Sequence, residues 1–440
     1  MKSIFNFRIS KSIGRAVVLS LLLFLVPFSA PAAQAQTRLI VRDSLGLPGI
    51  NATCLLLGCK AVTGLGDPQG QLFLITLPAI LNPVTQILTL NLQLGIVGVE
   101  IDQLVTTQAA SAGPAPSYLT DKTPTSYYGT TVWHGYLTQP ANQLIRTSST
   151  QSAFTVTGSG VTVAVIDTGV DPTTPALQNV LLPGYDFTRN TAGGSERSDV
   201  SVSPDSSQSQ TAEVNQRTVA VLDQRTVAVL DGSNYAAFGH GTMTAGVVHL
   251  VAPQAKIMPL KAFNANGTGY NSDILRAIYY AVKNGAKVMN MSFDYSTYSK
   301  ELANAISYAN RNGVVSVASA GNDGKKVAVY PGALPGVIDV ASTSDSDIQS
   351  VFTNYGAPPV WMAAPGEGVM TTYPFGTYAA GWGTSFSTPL VSGTAALMMS
   401  GPLKCPSLLV ASGLAHAAYI SNPDMGHGRL DTYKAVQACH

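Results

Sequence analysis

Four short segments carry residue types that could perform nucleophilic catalysis. Asp167 lies in VIDTG, His240 in GHGT, Asn322 in SAGND and Ser385 in GTSFSTP. A serine hydroxyl is a poor nucleophile until an imidazole removes its proton, and the imidazole needs a carboxylate on its other nitrogen. An amide side chain can donate a hydrogen bond to the developing oxyanion. Each residue alone has a structural explanation in a turn or a helix cap, but together they supply every group of this chemistry.

The surrounding sequence predicts the sheet that must position these residues. Six apolar, β-branched runs each end at a glycine or a polar loop: residues 161–169, 256–263, 287–293, 314–321, 337–343 and 360–366. Helical patterns at 272–285 and 300–313 each end in Asn-Gly, a signal for a helix C-cap. Continuous apolar strands that alternate with helices predict an α/β fold, with a mostly parallel sheet and helices on both faces. In such sheets, functional residues gather at the carboxyl ends of the strands.

These motifs resemble those of subtilisin-like serine proteases, the subtilases. The matching segments are VIDTGV, GHGTMTAG, SAGNDG and GTSFSTP, and they follow that family's order of Asp, His and Ser. The resemblance covers about residues 150–435, including GHGRLDTYKAV at 426–436. It implies a three-layer subtilisin-like fold and a secreted serine endopeptidase, which cleaves polypeptides through an acyl-enzyme and is made as a self-processed precursor.

The resemblance also implies a role for each candidate residue. Asp167, His240 and Ser385 are expected to form the catalytic triad, with Ser385 as the first serine of the family pattern G-T-S-x-S-x-P. Asn322 and the Ser385 N–H are expected to hold the oxyanion. The second serine of the pattern, Ser387, is expected to pack within a helix.

One departure from the family concerns the substrate pocket. The segment Ser-Leu-Gly-Gly, which lines the pocket for the residue before the cleaved bond, is replaced here by Ser292-Phe293-Asp294-Tyr295. Asp294 and Tyr295 would narrow this pocket or give it a negative charge, which predicts a preference for small or basic side chains. The alternative is that both side chains point into solvent.

Two further features concern metal and substrate binding. Many subtilases have a calcium-binding loop that interrupts the helix of the catalytic histidine, whereas here HGTMTAGVVHLVAPQAKIMPL runs directly from helix to strand. No metal or other cofactor is therefore expected, although calcium at another site is an open alternative. Gly267 and Gly269 are expected to contact the substrate.

The first 35 residues have the pattern of a secretory signal peptide. Basic residues precede the apolar run AVVLSLLLFLV, and Ala33-Gln34-Ala35 offers a cleavage site after Ala35. An uncleaved anchor helix is the alternative, but the run is shorter than the roughly 20 residues that span a bilayer. The mature chain is expected to be secreted without a membrane span. Because 25 basic residues face 24 acidic ones, the net charge of +1 predicts no nucleic-acid partner.

Export makes disulfide bonds possible. The four cysteines form two local groups, and the simplest of the three possible connectivities joins Cys54 to Cys59 and Cys405 to Cys439. Free buried thiols are the alternative.

Composition divides the rest of the chain into three regions. Residues 36–108 contain short apolar runs, including QILTLNLQL at 86–94, and predict a small, strand-rich α+β module with one or two helical turns. Its end, GIVGVEIDQLV, resembles the end of a subtilase propeptide, so the module is expected to assist folding and block the cleft. Residues 109–150 are expected to be a linker and an extension of the catalytic domain, with 106–125 exposed and cleavable. Residues 151–440 are the expected catalytic domain, a monomer.

Other functions fit the sequence less well. Asp-Thr-Gly also marks aspartic proteases, which need two such carboxylates, and this chain has one motif. Gly158 and Gly160 precede their strand, the wrong order for a nucleotide phosphate loop. A catalytically weak or inactive binding protein on a subtilase scaffold is the alternative function, and only the altered pocket favours it.

A long segment separates the candidate aspartate from the candidate histidine. Most of its extra length lies in residues 188–235, where the polar stretch 191–213 is predicted to be a mobile surface loop. The segment contains the octapeptide QRTVAVLD twice in tandem, at 216–231. The two copies could pair as a hairpin, and the first is interpreted as a duplication that the surface tolerates.

Overall fold

The computed structural model of the chain describes residues 36–78, 82–106, 113–200, 219–221, 235–356, 359–401 and 404–439. The predicted signal peptide and the second copy of the octapeptide lie outside the described residues.

The N-terminal module is a four-stranded sheet covered by two helices. The sheet has the strand order β2-β3-β1-β4, and its described pairings are antiparallel. The elements are β1 (Gln36–Asp43), α1 (Gly46–Leu57), β2 (Lys60–Gly64), β3 (Leu72–Pro78), α2 (Pro83–Asn91) and β4 (Ile96–Ile101). The helices exceed the predicted one or two turns, because α1 has 12 residues and α2 has 9. Most of QILTLNLQL lies in α2, where Asn82 caps the helix and Pro83 begins it.

A connecting region packs against the large domain that follows it. Its elements are β5 (Leu104–Thr106), β6 (Pro124–Tyr127), β7 (Thr130–Trp133), α3 (His134–Thr138), α4 (Pro140–Leu144) and α5 (Thr147–Phe154). In the second half of the predicted exposed linker 106–125, Ser117, Thr120 and residues 122–124 are exposed, but one residue departs from the prediction. Leu119 is fully buried, and the Tyr118 hydroxyl donates to the Gly368 carbonyl at 2.6 Å. An apolar side chain and a tyrosine thus attach this segment to the domain that follows.

The large domain that follows is built on an eight-stranded sheet with the order β10-β9-β12-β8-β14-β15-β16-β17. All neighbouring strands are parallel except β10, which runs antiparallel to β9 at the edge. The strands of the domain are β8 (Thr162–Asp167), β9 (Tyr185–Asp186), β10 (Thr191–Ala192), β11 (Val219–Val221), β12 (Lys256–Lys261), β13 (Thr268–Tyr270), β14 (Val288–Met291), β15 (Val315–Ser319), β16 (Val337–Thr343), β17 (Met362–Pro365), β18 (Val369–Tyr373) and β19 (Thr377–Gly381).

Helices cover both faces of this sheet, which confirms the three-layer α/β prediction. The helices are α6 (His240–Val251), α7 (Asn271–Lys283), α8 (Lys300–Arg311), α9 (Thr384–Met398), α10 (Ser407–Leu414) and α11 (Thr432–Gln437). One core joins the sheet to α6 and α9, and a second core joins the opposite face to α7 and α8. All six predicted strands are present, and each of α7 and α8 is followed by Asn-Gly, as predicted.

The N-terminal module lies on the α7 and α8 side of the sheet. Its residues Ile40, Leu72 and Leu74 belong to the same buried core as these helices. Arg42 of β1 forms an ion pair with Glu301 of α8 at 2.5 Å. The module is therefore attached by apolar contacts and by charge.

Part of the segment between Asp167 and His240 packs into the domain. Within the predicted surface loop, Glu196 is fully buried, so the surface prediction is wrong at this residue. The described part of the first octapeptide copy is strand β11, which pairs antiparallel with β19, Val219 opposite Gly381. The first copy thus contributes backbone hydrogen bonds to a sheet, whereas the predicted hairpin lies outside the described residues.

Both predicted disulfides are present. Cys54 is bonded to Cys59 within the N-terminal module, and Cys405 is bonded to Cys439 near the end of the chain. Within the described part of the chain, none of the helices combines the length and apolar character needed to cross a membrane.

Candidate active site

The four candidate residues all stand at element ends. Asp167 is the last residue of β8, and Asn322 follows the end of β15 by three positions. His240 is the first residue of α6, and Ser385 is the second residue of α9. Because β8 and β15 are parallel strands of one sheet, their carboxyl ends meet at the same edge.

Asp167 and His240 are in direct contact. His240 Nδ1 lies 2.7 Å from Asp167 Oδ1, and the Thr168 N–H donates to the same carboxylate oxygen at 2.7 Å. The Thr244 hydroxyl lies 3.2 Å from Oδ2 and 3.1 Å from the Gly241 carbonyl oxygen, so its one proton is shared between these acceptors. Burial lowers the pKa of His240, but the charge and hydrogen bond of Asp167 outweigh it and the pKa is raised. The pair is built to stabilise an imidazolium ion.

Ser385 lies beside this pair at the start of α9. The ring of His240 lies 6.0 Å from the ring of Phe386, centroid to centroid, which brings the imidazole close to the first turn of α9. The Ser385 hydroxyl donates to the Ser292 carbonyl at 3.2 Å, and the Ser292 hydroxyl donates to the Ser385 carbonyl at 2.9 Å. Catalytic hydrogen bonds are often long or misaligned until substrate binds, so this orientation does not exclude attack.

Asn322 is joined to the same helix start. Its Oδ1 accepts hydrogen bonds from the Thr384 N–H at 2.9 Å and from the Thr384 hydroxyl at 3.0 Å. These bonds fix the amide oxygen as the acceptor and leave Nδ2 as the donor end of the side chain. A donor fixed in this way next to a helix N-terminus suits a developing negative charge.

The segment Ser292-Phe293-Asp294-Tyr295 is buried, so the alternative that Asp294 and Tyr295 point into solvent is wrong. Asp294 is 3% exposed and Tyr295 is 9% exposed. The Tyr295 hydroxyl donates to Asn271 Oδ1 at 3.1 Å, whereas Asp294 Oδ2 has no hydrogen-bond partner among the described residues. Burial, with the charge of Asp323, raises the pKa of Asp294 to about 7.

The Asp294 carboxyl reaches across to the segment that leads into Asn322. A Cβ added to Gly321 would lie only 3.0 Å from Asp294 Oδ2. A second buried carboxyl lies nearby, since burial and the charge of Asp294 raise the pKa of Asp339 to about 8. The space between the ends of β14 and β15 is thus occupied by an acidic side chain where the family pattern has glycine.

Gly267 and Gly269 lie at the edge strand β13 rather than beside the catalytic pair. The strand pairs antiparallel with β5, with Gly269 opposite Val105. The segment around β13, which was expected to contact substrate, is therefore paired with β5 from the N-terminal region of the same chain.

Sequence reasoning missed Glu196, which contacts both catalytic segments. Its carboxyl accepts hydrogen bonds from the Gly239 N–H, the Thr168 hydroxyl and the Thr242 hydroxyl. Burial raises the pKa of Glu196, while these contacts with Thr242 and Gly239 oppose the shift. No signal marked this residue, because it stands in a polar stretch without periodicity.

The neighbouring serine has a different environment. Ser387 is fully buried, and its hydroxyl donates to the carbonyls of Ala364 at 2.9 Å and Pro365 at 3.2 Å. These bonds attach α9 to the end of β17, as expected of a residue that packs the helix.

Comparison with known proteins agrees with this geometry. A profile described as "Subtilase family" matches residues 158–418. Thermitase from Thermoactinomyces vulgaris is 31% identical over 291 residues, which cover 64% of this chain and 90% of that protein. A thermophilic serine proteinase from Bacillus sp. (strain AK1) is 33% identical over 311 residues, 70% of this chain and 68% of the relative.

A third relative supports the same family. Subtilisin BL from Lederbergia lenta is 33% identical over 252 residues, 55% of this chain and 77% of that protein. The profile match covers more than half of the chain and includes all four candidate residues. The chain therefore belongs to the subtilase family and is a serine-type endopeptidase, a hydrolase of peptide bonds.

Proposed function

We propose that this endopeptidase acts through Asp167, His240 and Ser385. Ser385 attacks the peptide carbonyl while His240 accepts its proton and later returns it to the leaving amine. Asp167 orients His240 and stabilises its charged form. The single observation that carries the proposal is the 2.7 Å contact between His240 Nδ1 and Asp167 Oδ1, because it leaves Nε2 for the serine.

In the proposed mechanism, the Ser385 side chain rotates before it attacks the substrate. Its hydroxyl donates to the Ser292 carbonyl, and a change of χ1 would exchange this acceptor for the imidazole. Asn322 Nδ2 and the Ser385 N–H are the proposed donors to the oxyanion. Loss of one such donor costs about 3 kcal/mol of barrier, a figure measured on the oxyanion-hole asparagine of subtilisin.

We further propose that residues 36–108 act as an inhibitory propeptide that is cut by the enzyme itself. The pairing of β5 with β13 supports this role, because a peptide in the cleft of a protease binds as an added strand. Asp102 accepts the N–H and hydroxyl of Ser272 at 2.8 and 2.9 Å, at the start of α7. Glu100 accepts the Ser299 hydroxyl at 2.6 Å, at the start of α8. Carboxylates at helix N-termini are stabilising, which suits a module that assists folding.

We also propose that the protein is secreted, that it is a monomer and that it needs no metal. The A-x-A pattern after an apolar run supports export of the precursor. Calcium at the helix of the catalytic histidine does not fit this chain. Helix α6 runs without interruption to Val251, and β12 begins at Lys256, so no loop is present there to supply ligands.

The proposed pocket residues are Ser292, Phe293 and Asp294, with Gly267 and Gly269 along the substrate backbone. Asp294 supports a preference for small or basic side chains before the cleaved bond, since its carboxyl takes up space and can carry charge. The inactive alternative depended on this altered pocket alone, and the family relationship does not support it.

Replacement of Ser385 by alanine tests the proposed mechanism. We expect the wild type to hydrolyse casein and remove residues 36–108, a serine-directed covalent inhibitor to block both activities, and S385A to abolish them. S387A is the matched control, because it removes the neighbouring serine hydroxyl and should keep both activities. Hydrolysis that survives in S385A would overturn the assignment.

A further inference from the structure

A buried carboxyl group that the proposed mechanism does not use lies between the two catalytic segments. Glu196 begins the short 3-10 turn Glu196–Asp199 and is 0% exposed. A buried carboxyl is costly unless hydrogen bonds compensate for its lost hydration. The hydrogen-bond partners of Glu196 therefore indicate why a carboxyl group is buried here.

Three donors converge on Glu196 from both sides. The Gly239 N–H donates to Oε2 at 2.8 Å, and the Thr168 hydroxyl donates to the same oxygen at 3.2 Å. The Thr242 hydroxyl donates to Oε1. Gly239 and Thr242 belong to the start of α6, while Thr168 belongs to the turn after β8. One carboxyl group thus joins the element that carries the histidine to the element that carries the aspartate.

The two threonine hydroxyls that contact Glu196 also accept hydrogen bonds from the backbone. Thr168 Oγ1 accepts the Gly241 N–H at 2.9 Å, and Thr242 Oγ1 accepts the Asp171 N–H at 2.8 Å. Each hydroxyl accepts one backbone N–H with one lone pair and can donate its own proton to the ionised carboxylate of Glu196. Burial and the charge of Asp171 raise the pKa of Glu196 to about 8, against the hydrogen bonds from Thr242 and Gly239 and the helix N-terminus, so the carboxyl is ionised above this pH.

The turn Glu196–Asp199 also contacts Thr168 through the ammonium group of Lys261. The fully buried Lys261 Nζ donates to the Thr168 carbonyl at 2.9 Å and to Asp199 Oδ2 at 2.7 Å. Because Glu196 and Asp199 are the two ends of one turn, this turn holds both the hydroxyl and the carbonyl of Thr168. The residue that follows the catalytic aspartate is thus held on its side chain and on its backbone.

The two catalytic segments are in direct contact where Glu196 joins them. A Cβ added to Gly241 would lie 1.9 Å from the Gly169 carbonyl oxygen, so no water or side chain fits between them. Small movements of either segment would change the contact between the histidine and the aspartate. Misplacement by about 1 Å can lower a catalytic rate about a hundredfold.

We propose that Glu196 is a positioning residue for Asp167 and His240, a role that rests on the proposed function. It acts through Thr168, Gly239 and Thr242 and does not touch the substrate. Its charge and its three hydrogen bonds hold the start of α6 against the turn after β8, at the separation that keeps His240 Nδ1 on the aspartate.

The first test replaces Glu196 by glutamine, which keeps the shape and removes the charge. At pH 9, with a short chromogenic peptide and the full chain, we expect kcat of E196Q to fall about tenfold to a hundredfold, while KM stays within about twofold. D431N is the matched control, since Asp431 is also a buried carboxylate at a helix start, accepting the Lys434 N–H at 3.1 Å. This variant should lose stability without a change in kcat.

A second pair of variants decides the question if E196Q does not fold. T242V removes a hydrogen bond to Glu196 and should lower kcat in the same way, whereas T242S keeps the hydroxyl and should restore it. Wild-type kcat in E196Q or in T242V would overturn the positioning role. Activity that survives S385A would instead refute the proposed function, so the two failures can be distinguished.

Discussion

Ser292 and Ser385 are joined by a reciprocal pair of hydrogen bonds. The Ser292 hydroxyl donates to the Ser385 carbonyl at 2.9 Å, and the Ser385 hydroxyl donates to the Ser292 carbonyl at 3.2 Å. Asn290 Nδ2 in turn donates to the Ser292 hydroxyl at 3.0 Å. The end of β14 and the start of α9 are thus fixed to each other at the proposed nucleophile.

The first prediction follows from this pair. S292A removes one of the two hydrogen bonds and leaves the amide of Asn290 and the carbonyl of Ser385 without this partner, at a cost of about 1–3 kcal/mol. We expect a lower free energy of unfolding in urea and a fall in kcat of about tenfold, because the nucleophile loses its fixed position. S412A, which removes an exposed hydroxyl, should change neither quantity. Unchanged kcat in S292A would show that the pair is structural only.

The second prediction concerns pH. Asp167 raises the pKa of His240, so the neutral imidazole that acts as base is present above this raised value and is lost as the pH falls. D167N removes the charge, so we expect the acidic limb of the kcat/KM profile to move to lower pH. We also expect kcat to fall about 10⁴-fold, the effect of the same substitution in another serine protease. An acidic limb that stays in place would mean that a group other than His240 controls it.

The third prediction concerns substrate choice. The Asp294 carboxyl lies against Gly321 and fills space between the ends of β14 and β15. We expect the wild type to cleave after small or basic residues in a peptide library, and D294G to gain cleavage after large apolar residues. D294N keeps the volume without the charge, so it should lose basic substrates and still reject large ones. A wild-type preference for large apolar residues would contradict this reading of the pocket.

The sequence predicted the sheet well because its strands are buried on both faces. Runs such as VTVAVIDTG are continuously apolar, and their ends at Gly or polar residues lie within a few positions of the observed strand ends. The Asn-Gly pairs after α7 and α8 gave the helix ends for the same reason, since few residues tolerate the backbone that follows a helix. Local chemistry decides these features, so one sequence is sufficient.

Features that depend on distant contacts could not be predicted. Glu196 lies in a polar stretch, and only folding brings it to Gly239 and Thr242. Leu119 is the one large aliphatic residue in a segment rich in Ala, Pro, Ser and Thr, yet it is fully buried because a neighbouring domain covers it. In α2, the cap at Asn82 and the proline after it outweigh a pattern that alternates like a strand. Composition gives no information about such partners.

The pairing of β5 with β13 has a consequence for the timing of activity. While the chain is intact, the strand Leu104–Thr106 meets its partner at an effective concentration on the order of millimolar, which free peptides rarely reach. A single backbone cut after β5 would separate this strand from the domain that carries β13. Its binding to β13 would then depend on the bulk concentration of the released piece. If residues 36–108 inhibit the enzyme as proposed, inhibition would then be lost by dilution as well as by cleavage, and it would last longer at a high protein concentration than at a low one.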